Sequence, residues 1–492
     1  MPHDTIKKIA VFGNGLAGLL CVAKLANILP SSIELTYIEA SQGNKTDIFF
    51  GTVTSPVTYE FLLGLGITEP DVLPHSRTSF SLGTRYKNWG SQNREWMQSF
   101  YRPLPAYNGV SFHHYLTRLR TSAANLSKIE PYIMSAQAAD SGVFAHPPEG
   151  KKIPLADVEY GYHFLPEEWY SIISRKIENT SVNLIKADVL NVSRQGDSIQ
   201  SVSLSNEQRL EADFFIDALG PQSKLADPHA EIQSSGRNLK AVSSVTGKEK
   251  LEGVCRVLTG TDFGWQSETP IQNGTHHLTV YDPDSETEAL AHLRNAKTDP
   301  IEVTLGKLTQ PWLGNCLTLG HGAAIVEPLT PAPMLLLQKD IERLAELIPV
   351  TDRMTVESRE YNRRFHDDYA HAEMFSRAFF DSNVGETGPY WDAATNSAVH
   401  EKLEAKIGQF KSRGVLVQFD YEPFSEQDWT VLHLGMGRDP VRYDPLADHI
   451  PKDQLKNKLE QMNKAIKIMA EKMPPHHVYM TGLLKYLKDK HG

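Results

Sequence analysis

One pattern near the start of the chain constrains the fold more than any other feature. A short apolar run leads into a glycine loop at residues 13–18, and a stretch that reads as a buried helix follows. A second apolar run then ends at Glu39. Gly13 permits a tight turn, Gly15 lets a pyrophosphate approach the backbone, and Gly18 allows the helix to pack closely on the strand. The pattern predicts a Rossmann-like nucleotide-binding unit.

The rest of the chain indicates which nucleotide this unit binds. Free N–H groups at the helix start can bind phosphate, and Glu39 stands about 20 residues on, where a carboxylate can bind ribose hydroxyls. No second glycine motif stands between a strand and a helix, so one dinucleotide is expected. Later strand-like runs, separated by long insertions, are typical of a flavin-binding sheet interleaved with a substrate domain; they lie at 182–185, 199–204, 212–220 and 315–324.

Composition excludes several other classes of protein. Of 492 residues, 40% are hydrophobic and 22% are charged, which fits a folded chain, and the net charge of -10 argues against a nucleic-acid partner. Cys21, Cys255 and Cys316 are far apart, so we expect no disulfide framework, no metal site and a reducing compartment. No apolar run approaches the roughly 20 residues that span a bilayer. We expect a cytoplasmic protein without a membrane partner.

Several further segments, in a fixed order, carry a specific resemblance. They run from Phe80-Ser81-Leu82-Gly83 to Trp89, from Tyr160 to Phe164, from Phe215 to Gly220, from Trp312 to Leu329, over Tyr390-Trp391, and from Trp429 to Pro440. On these segments the chain resembles the flavin-dependent tryptophan halogenases over nearly its whole length. In that family reduced FAD reacts with oxygen as a C4a-hydroperoxide and delivers an oxidising equivalent toward an indole.

The resemblance implies an α/β fold with an FAD-binding Rossmann-like (GR2/PHBH-type) sheet, a substrate domain interleaved with it and a mostly helical C-terminal region. The FAD-binding part is expected at 1–110, 181–225 and 311–350. The other expected segments are a substrate-region insertion at 111–180, substrate-domain strands and a lid at 226–310, and the helical region at 351–492.

The residues expected to bind FAD are Gly13, Gly15, Leu16, Ala17, Gly18, Glu39, Val189, Gly220, Gly320, His321 and Pro328. His321 departs from the usual flavoprotein pattern, in which an aspartate at this position binds the ribityl chain. An imidazole can still donate a hydrogen bond to a hydroxyl. The alternative is that His321 only caps the helix that follows.

The departures from the halogenase pattern concern the reaction itself. The lysine with which the family captures or steers hypohalous acid falls at Ser81, and the glutamate beside it falls at Thr330. The family's halide lies on backbone N–H groups just after that glutamate, but Pro331 and Pro333 have no N–H to donate. The tryptophan-rich halogenase signature is degenerate as well. These losses predict that the chain is not a halogenase.

Within the family, the chain looks most like the non-halogenating flavoproteins that modify a precursor tryptophan to form cysteine tryptophylquinone in quinoprotein amino-acid oxidases. This implies an FAD-dependent monooxygenase that hydroxylates a tryptophan of a partner precursor protein. Electrons would come from NAD(P)H directly or through a flavin reductase. Two alternatives stay open: a flavin-dependent hydroxylase or oxidase of a small aromatic metabolite, and a silent flavin-fold protein that binds its partner.

Four residues are candidates for a catalytic role. Glu327 is the candidate base, Ser81 and Thr330 are expected to line the pocket, and His163 is a candidate hydrogen-bond partner for substrate or flavin. Packing or purely structural roles are alternatives for Ser81, Thr330 and His163.

Other patterns predict structure rather than chemistry. The pairs His113-His114 and His276-His277 are expected on strands, where adjacent side chains face opposite sides and cannot share a metal. Residues 226–250, rich in Ser, Gly and Lys, predict a mobile connection or lid. Apolar residues spaced by three and four between 455 and 469 predict an amphipathic helix with a solvated basic face. A docking surface for an acidic protein is the alternative for that face.

Overall fold

A computed structural model describes residues 5–41, 45–89, 94–104, 106–120, 128–227, 229–292, 299–380, 387–397 and 399–491. The strands are β1 Lys8–Gly13, β2 Glu34–Glu39, β3 Ser79–Ser81, β4 Gly83–Lys87, β5 Trp96–Ser99, β6 Gly161–His163, β7 Asn183–Lys186, β8 Val189–Gln195, β9 Ser198–Leu204, β10 Arg209–Leu210, β11 Phe214–Ala218, β12 Ile232–Gly247, β13 Arg256–Thr261, β14 Gly264–Ile271, β15 Gly274–Tyr281, β16 Ile301–Leu308, β17 Trp312–Leu313, β18 Cys316–Thr318 and β19 Ala324–Ile325. The helices are α1 Leu16–Ile28, α2 Thr58–Gly64, α3 Glu69–Val72, α4 Phe112–Arg120, α5 Met134–Asp140, α6 Pro166–Glu178, α7 Glu286–Ala291, α8 Ala332–Glu346, α9 Thr355–Arg377, α10 Pro389–Asn396, α11 Glu401–Arg413, α12 Glu426–Gly435, α13 Lys452–Glu471 and α14 His476–His491.

The nucleotide end of the chain folds as the glycine loop predicts. Within the described residues, six strands form one sheet in the order β17-β18-β11-β1-β2-β7, parallel except for the β17–β18 pair. Helix α1 follows β1 directly and packs against α6 and α8. It is buried along most of its length because apolar residues surround it on all sides rather than forming one stripe. The sheet takes its strands from three separate stretches of sequence.

A second, larger sheet faces the first across a cleft. In the described part of the chain its order is β19-β16-β12-β15-β14-β13-β4-β5, and β4 runs parallel to β13. Residues 226–250, predicted as a mobile connection or lid, are not an irregular connection. Apart from residue 228, which lies outside the described residues, most of this segment is the 16-residue strand β12. Pairing with both β15 and β16 outweighs the Ser- and Gly-rich composition, and a register shift near Gly236 absorbs the irregularity.

The first histidine pair lies in a different element from the one expected. His113 and His114 are on α4, not on a strand, and both side chains are buried. His113 Nε2 lies 2.6 Å from the carbonyl oxygen of Gly414 at the end of α11. Packing against the C-terminal helices therefore sets the helical conformation of this short segment, which its own aromatic composition did not indicate.

The C-terminal region is helical, as expected, from α9 to α14. Helix α13 confirms the predicted amphipathic pattern, with Leu455, Leu459 and Ile466 buried on one face. In the part of the chain that the structure describes, we find no helix with the length and apolarity that crossing a membrane requires.

Candidate active site

The glycine turn between β1 and α1 is too tight for any side chain. A Cβ placed on Gly18 would lie 2.8 Å from the Cα of Gly13, and one on Gly13 would lie 3.1 Å from the ring of Tyr37. Gly15 is the N-cap of α1, and as a glycine it has no side chain that could cap the helix. The first helix N–H, that of Leu16, donates to Asp47 Oδ2, and the N–H groups that follow it can bind an anionic group.

A cleft of about 1000 Å³ opens beside this turn. It lies between the carboxyl ends of β1 and β11 and the strands β12 and β16, which is where open α/β sheets bind their ligands. Its lining includes Asn14, Ser41, Asp188, Val189, Leu219 and His321. Glu39 ends β2 directly opposite Gly13 in the sheet register, and its half-exposed carboxylate lies 3.4 Å from Lys186 Nζ.

Two later glycines shape the same region. Gly220 follows β11 with a positive φ of 88°, and Gly320 follows β18 with a φ of 64°. A Cβ on Gly320 would lie 2.7 Å from the Cβ of Ala17, so this turn is pressed against the start of α1. Both residues therefore adopt backbone conformations that other residues rarely take.

His321 lies on the turn after Gly320, and its ring stacks on Phe50 at 3.8 Å between centroids. Its Nδ1 is 3.2 Å from the hydroxyl of Thr46, while Nε2 has no hydrogen-bond partner among the described residues. Burial lowers the pKa of His321 to about 3, so the ring is neutral near pH 7. The imidazole does not cap α8, whose N-cap is Pro331. A neutral ring with a buried, unpaired nitrogen fits contact with a hydroxyl-rich group.

Asp47 is a charged residue of this region that the sequence did not indicate. Its Oδ2 accepts a hydrogen bond from the Leu16 N–H at 2.7 Å, at the first turn of α1, and another from the Tyr170 hydroxyl at 2.5 Å. Burial raises the pKa of Asp47 to about 6, although the two hydrogen bonds act in the opposite direction. A carboxyl group therefore shares the helix N-terminus with the position expected for a diphosphate.

This arrangement predicts a pH-dependent cofactor affinity. Because the folded-state pKa of Asp47 is raised to about 6, the carboxyl is protonated below that pH and ionised above it. An ionised Asp47 repels a diphosphate, so the affinity for FAD should fall as the pH rises through about 6. Fluorescence titration of the apoprotein with FAD, between about pH 5 and pH 8, measures the slope. In Asp47→Asn the slope should disappear.

Asp188 provides the matched control, since it lines the same cleft. Hydrogen bonds from Ser41 lower the pKa of Asp188, which stays ionised across this range. Asp188→Asn should therefore shift the FAD affinity by the same factor at every pH. A slope that survives in Asp47→Asn would contradict the assignment.

The loop that begins at Glu327 is held by its own carboxylate. Glu327 Oε1 accepts hydrogen bonds from Trp265 Nε1 at 2.8 Å and from the Tyr390 hydroxyl at 2.5 Å. Its Oε2 lies 2.9 Å from Nη1 of Arg237, whose guanidinium also packs over the Tyr390 ring. The side chain is only 3% exposed. These contacts involve both carboxylate oxygens of Glu327, the predicted base, and they fix the start of the loop.

The middle of the loop is bound by a residue that the sequence reasoning missed. Arg256, on β13, donates from Nη1 to the Pro328 carbonyl at 2.9 Å, from Nη2 to the Leu329 carbonyl, and from Nε to Thr84 Oγ1 at 3.2 Å. The Tyr86 hydroxyl donates to the same Leu329 carbonyl at 2.7 Å. An arginine within a buried strand run was the available signal in the sequence.

Ser81 and Thr330 are both buried, and in sequence they stand close to two contacts of Arg256, Ser81 three residues before Thr84 and Thr330 directly after Leu329. Ser81 Oγ accepts from the Gly83 N–H at 3.3 Å, and Thr330 Oγ1 accepts from the Ala332 N–H at 3.2 Å. Each hydroxyl is thus used by its own local backbone. The first backbone N–H after Pro331 is that of Ala332. Because it donates to the Thr330 hydroxyl, it is not available to an anion.

His163 completes the set of predicted site residues. It pairs with Ser79 across β3 and β6, and its Nδ1 lies 3.2 Å from Ser79 Oγ. Because Ser79 Oγ already donates to the Pro270 carbonyl, Nδ1 carries the proton and Nε2 is an acceptor. That Nε2 is buried and has no hydrogen-bond partner in the described part of the chain. Burial lowers the pKa of His163 well below its usual value, with smaller contributions from His476 and from the charge of Arg256.

Comparison with known proteins gives matches over nearly the whole chain. The family model described as tryptophan halogenase matches residues 8–452. Tryptophan 7-halogenase RebH of Lentzea aerocolonigenes is 21% identical, over 99% of this chain and 99% of its own. The 7-chloro-L-tryptophan 6-halogenase KtzR of Kutzneria sp. (strain 744) is 22% identical, over 70% of this chain and 73% of its own. The solved structure of BrvH, a flavin-dependent halogenase from Brevundimonas sp. BAL3, has a TM-score of 0.88 and 23% identity over 97% and 99% of the two chains.

These findings confirm the predicted fold, a mixed α/β halogenase fold with a Rossmann-like sheet and a helical C-terminal region. They correct the predicted function. The relatives are named as halogenases of tryptophan or chlorotryptophan, and the matching structure as a halogenase. The prediction of a non-halogenating enzyme that hydroxylates a precursor protein toward cysteine tryptophylquinone is therefore wrong. The predicted quinoprotein precursor as partner is wrong for the same reason.

Proposed function

Because the chain belongs to the tryptophan halogenase family, we propose that it halogenates an electron-rich aromatic ring of a small molecule, with a free indole compound as the first candidate. As a member of this family it is an FAD-dependent oxidoreductase. The observation that carries the proposal is the family match over residues 8–452, which includes both the glycine turn and the loop after Glu327. The names of the relatives, which specify tryptophan or chlorotryptophan, support an indole substrate.

The residues beside the cleft fit FAD. The closely packed turn of Gly13 and Gly18 and the start of α1 suit its diphosphate, Glu39 suits the ribose, and the unpaired nitrogen of His321 suits the ribityl chain. When bound and reduced, FAD supplies an oxidising equivalent from molecular oxygen. The chain's own residues contribute the binding, the orientation and the exclusion of water around the loop of residues 327–330.

Halogenation by this chain must use groups other than the lysine and the glutamate of the family pattern. Ser81 and Thr330 carry neither an amine nor a carboxylate, and their hydroxyls bind their own backbone. Arg237 is paired with Glu327 at the start of the loop, and Arg256 donates to the carbonyls of Pro328 and Leu329. We therefore do not place the handling of the halide at residue 81.

Halide dependence of substrate consumption tests the proposal. The protein is supplied with reduced FAD, oxygen and either tryptophan, indole or tryptamine, while bromide is varied at constant ionic strength. Consumption of at least one indole should rise with bromide and saturate. Consumption that is the same with and without bromide, at equal flavin oxidation, would contradict halogenation. A reaction mixture without protein provides the control for free oxidant.

A further inference from the structure

A second cavity, of about 410 Å³, lies between helices α2, α8 and α9. Among the described residues, none that lines the cofactor cleft also lines this cavity. Its volume is at the lower end of the roughly 300–1,000 Å³ that small-molecule sites occupy. It therefore suits a molecule of one or two rings rather than a dinucleotide.

Apolar and aromatic side chains form much of the wall of this cavity: Val57, Phe61, Leu335 and Tyr421. Phe61 is buried, whereas Val57 and Tyr421 are 50% and 77% exposed, so the cavity opens to solvent beside these two residues. Gln338 Nε2 donates to Thr58 Oγ1 at 3.0 Å and joins α8 to α2 beneath the opening. The cavity is thus formed before any ligand arrives.

Tyr421 stands out by its backbone conformation. Its φ is 61°, a left-handed value that bulky residues rarely adopt. In the described part of the chain, the other non-glycine residues with positive φ are three asparagines and Glu207. The Tyr421 side chain lines the cavity although most of its surface is in solvent. A ligand ring that stacks on Tyr421 would bury this exposed aromatic surface.

The charged groups around the cavity favour a cation. The lining includes five carboxylates and three cations, and each cation already contacts a carboxylate: Lys339 with Asp368 at 2.6 Å, Arg343 with Asp340 at 2.6 Å, and Arg364 with Glu346 at 2.8 Å. Glu60 is exposed and, among the residues that the structure describes, has no cation within 4 Å. A ligand ammonium would supply the missing partner, whereas a ligand carboxylate would find no unpaired cation in the lining.

We propose that this cavity binds a small aromatic amine, with the ring between Phe61 and Tyr421 and the ammonium at Glu60. Glu60 and Phe61 are consecutive on α2 and both line the cavity, so one molecule contacts both. The site is separate from the cofactor cleft and from the loop of residues 327–330, and the inference does not depend on the proposed function.

Calorimetric titration with tryptamine tests the site. The protein carries oxidised FAD, and halide is left out, so no reaction takes place. Val57→Trp should bind one equivalent of tryptamine fewer than the wild-type protein, because the new side chain fills the opening of the cavity. Glu60→Gln should weaken that equivalent by about two- to fivefold, the range expected for an exposed ion pair. In wild-type crystals soaked with tryptamine, its ring should lie between Phe61 and Tyr421.

Val356→Trp is the matched control, since Val356 is 77% exposed on α9 and does not line the cavity. It should bind as many equivalents of tryptamine as the wild-type protein does. Indole-3-propionate, which carries a carboxylate instead of the amine, should not displace tryptamine from the cavity.

Two results would overturn the site. The first is an equal number of bound equivalents in Val57→Trp and the wild-type protein. The second is a soaked wild-type crystal without tryptamine in the cavity, which decides alone if Val57→Trp does not fold. Indole-3-propionate bound in the cavity as tightly as tryptamine, or an unchanged tryptamine affinity in Glu60→Gln, would overturn the assignment of the ligand as a cation.

Discussion

Replacing Glu327 with alanine should lower the free energy of unfolding by about 3–5 kcal/mol, which is typical when one partner of a buried ion pair is removed. The change leaves the Arg237 guanidinium without its carboxylate and removes the acceptor of Trp265 Nε1 and the Tyr390 hydroxyl. Thermal and urea unfolding of the apoprotein measure the effect. The loop of residues 327–330 should also lose its fixed position, so FAD-dependent activity should fall with stability.

A surface pair provides the control for this prediction. Glu252 lies 3.0 Å from Lys248 Nζ, and the side chains are 70% and 43% exposed. Glu252→Ala should therefore cost no more than about 1 kcal/mol. Combining Glu327→Gln with Arg237→Met should recover part of the loss, since the uncompensated charge is removed as well. Equal stability of Glu327→Ala and the wild-type protein would show that Glu327 does not hold the loop.

Gly18→Ala should weaken FAD binding by roughly ten- to hundredfold, the range expected for overpacking a tight contact. Its new Cβ would lie 2.8 Å from the backbone Cα of Gly13, which cannot move without displacing β1 or α1. The start of α1 would then shift relative to the sheet, and the N–H groups that face the diphosphate would shift with it. Quenching of flavin fluorescence on titration measures the dissociation constant.

A second glycine controls for the substitution itself. Gly408 lies in α11, and a Cβ placed there meets nothing within 4 Å. Gly408→Ala should leave FAD binding unchanged and raise stability by about 0.5–1 kcal/mol, because alanine is the better helix former. Unchanged FAD affinity in Gly18→Ala would contradict the assignment of this turn to the cofactor.

The parts of the fold that depend on local sequence could be predicted. The turn of Gly13 and Gly18, the strand ending at Glu39 and the amphipathic helix α13 each follow from residue spacing within one segment. Strand β12 and helix α4 did not, because distant partners set their conformations through pairing with β15 and β16 and through packing against α11. Local composition carries no information about such partners.

The candidate site shows the same limit. Glu327 was identified by position, but its donors Trp265 and Tyr390 come from another strand and another helix. The hydroxyls of Ser81 and Thr330 instead bind backbone N–H groups two residues away. Reading Ser81 and Thr330 as lost catalytic groups led to the wrong function. The sequence could not show that a buried cation, Arg256, reaches the same loop from β13. Asp47 was missed for a similar reason, since its contact with Leu16 joins two separate segments.

The elemental composition of the product tests the central claim most directly. The protein is given one indole that it consumes, reduced FAD, bromide and isotopically labelled oxygen gas, and the product is analysed by high-resolution mass spectrometry. We predict a product that carries one bromine, recognised by its two-isotope pattern, and no labelled oxygen. A product that carries labelled oxygen and no bromine would contradict the account.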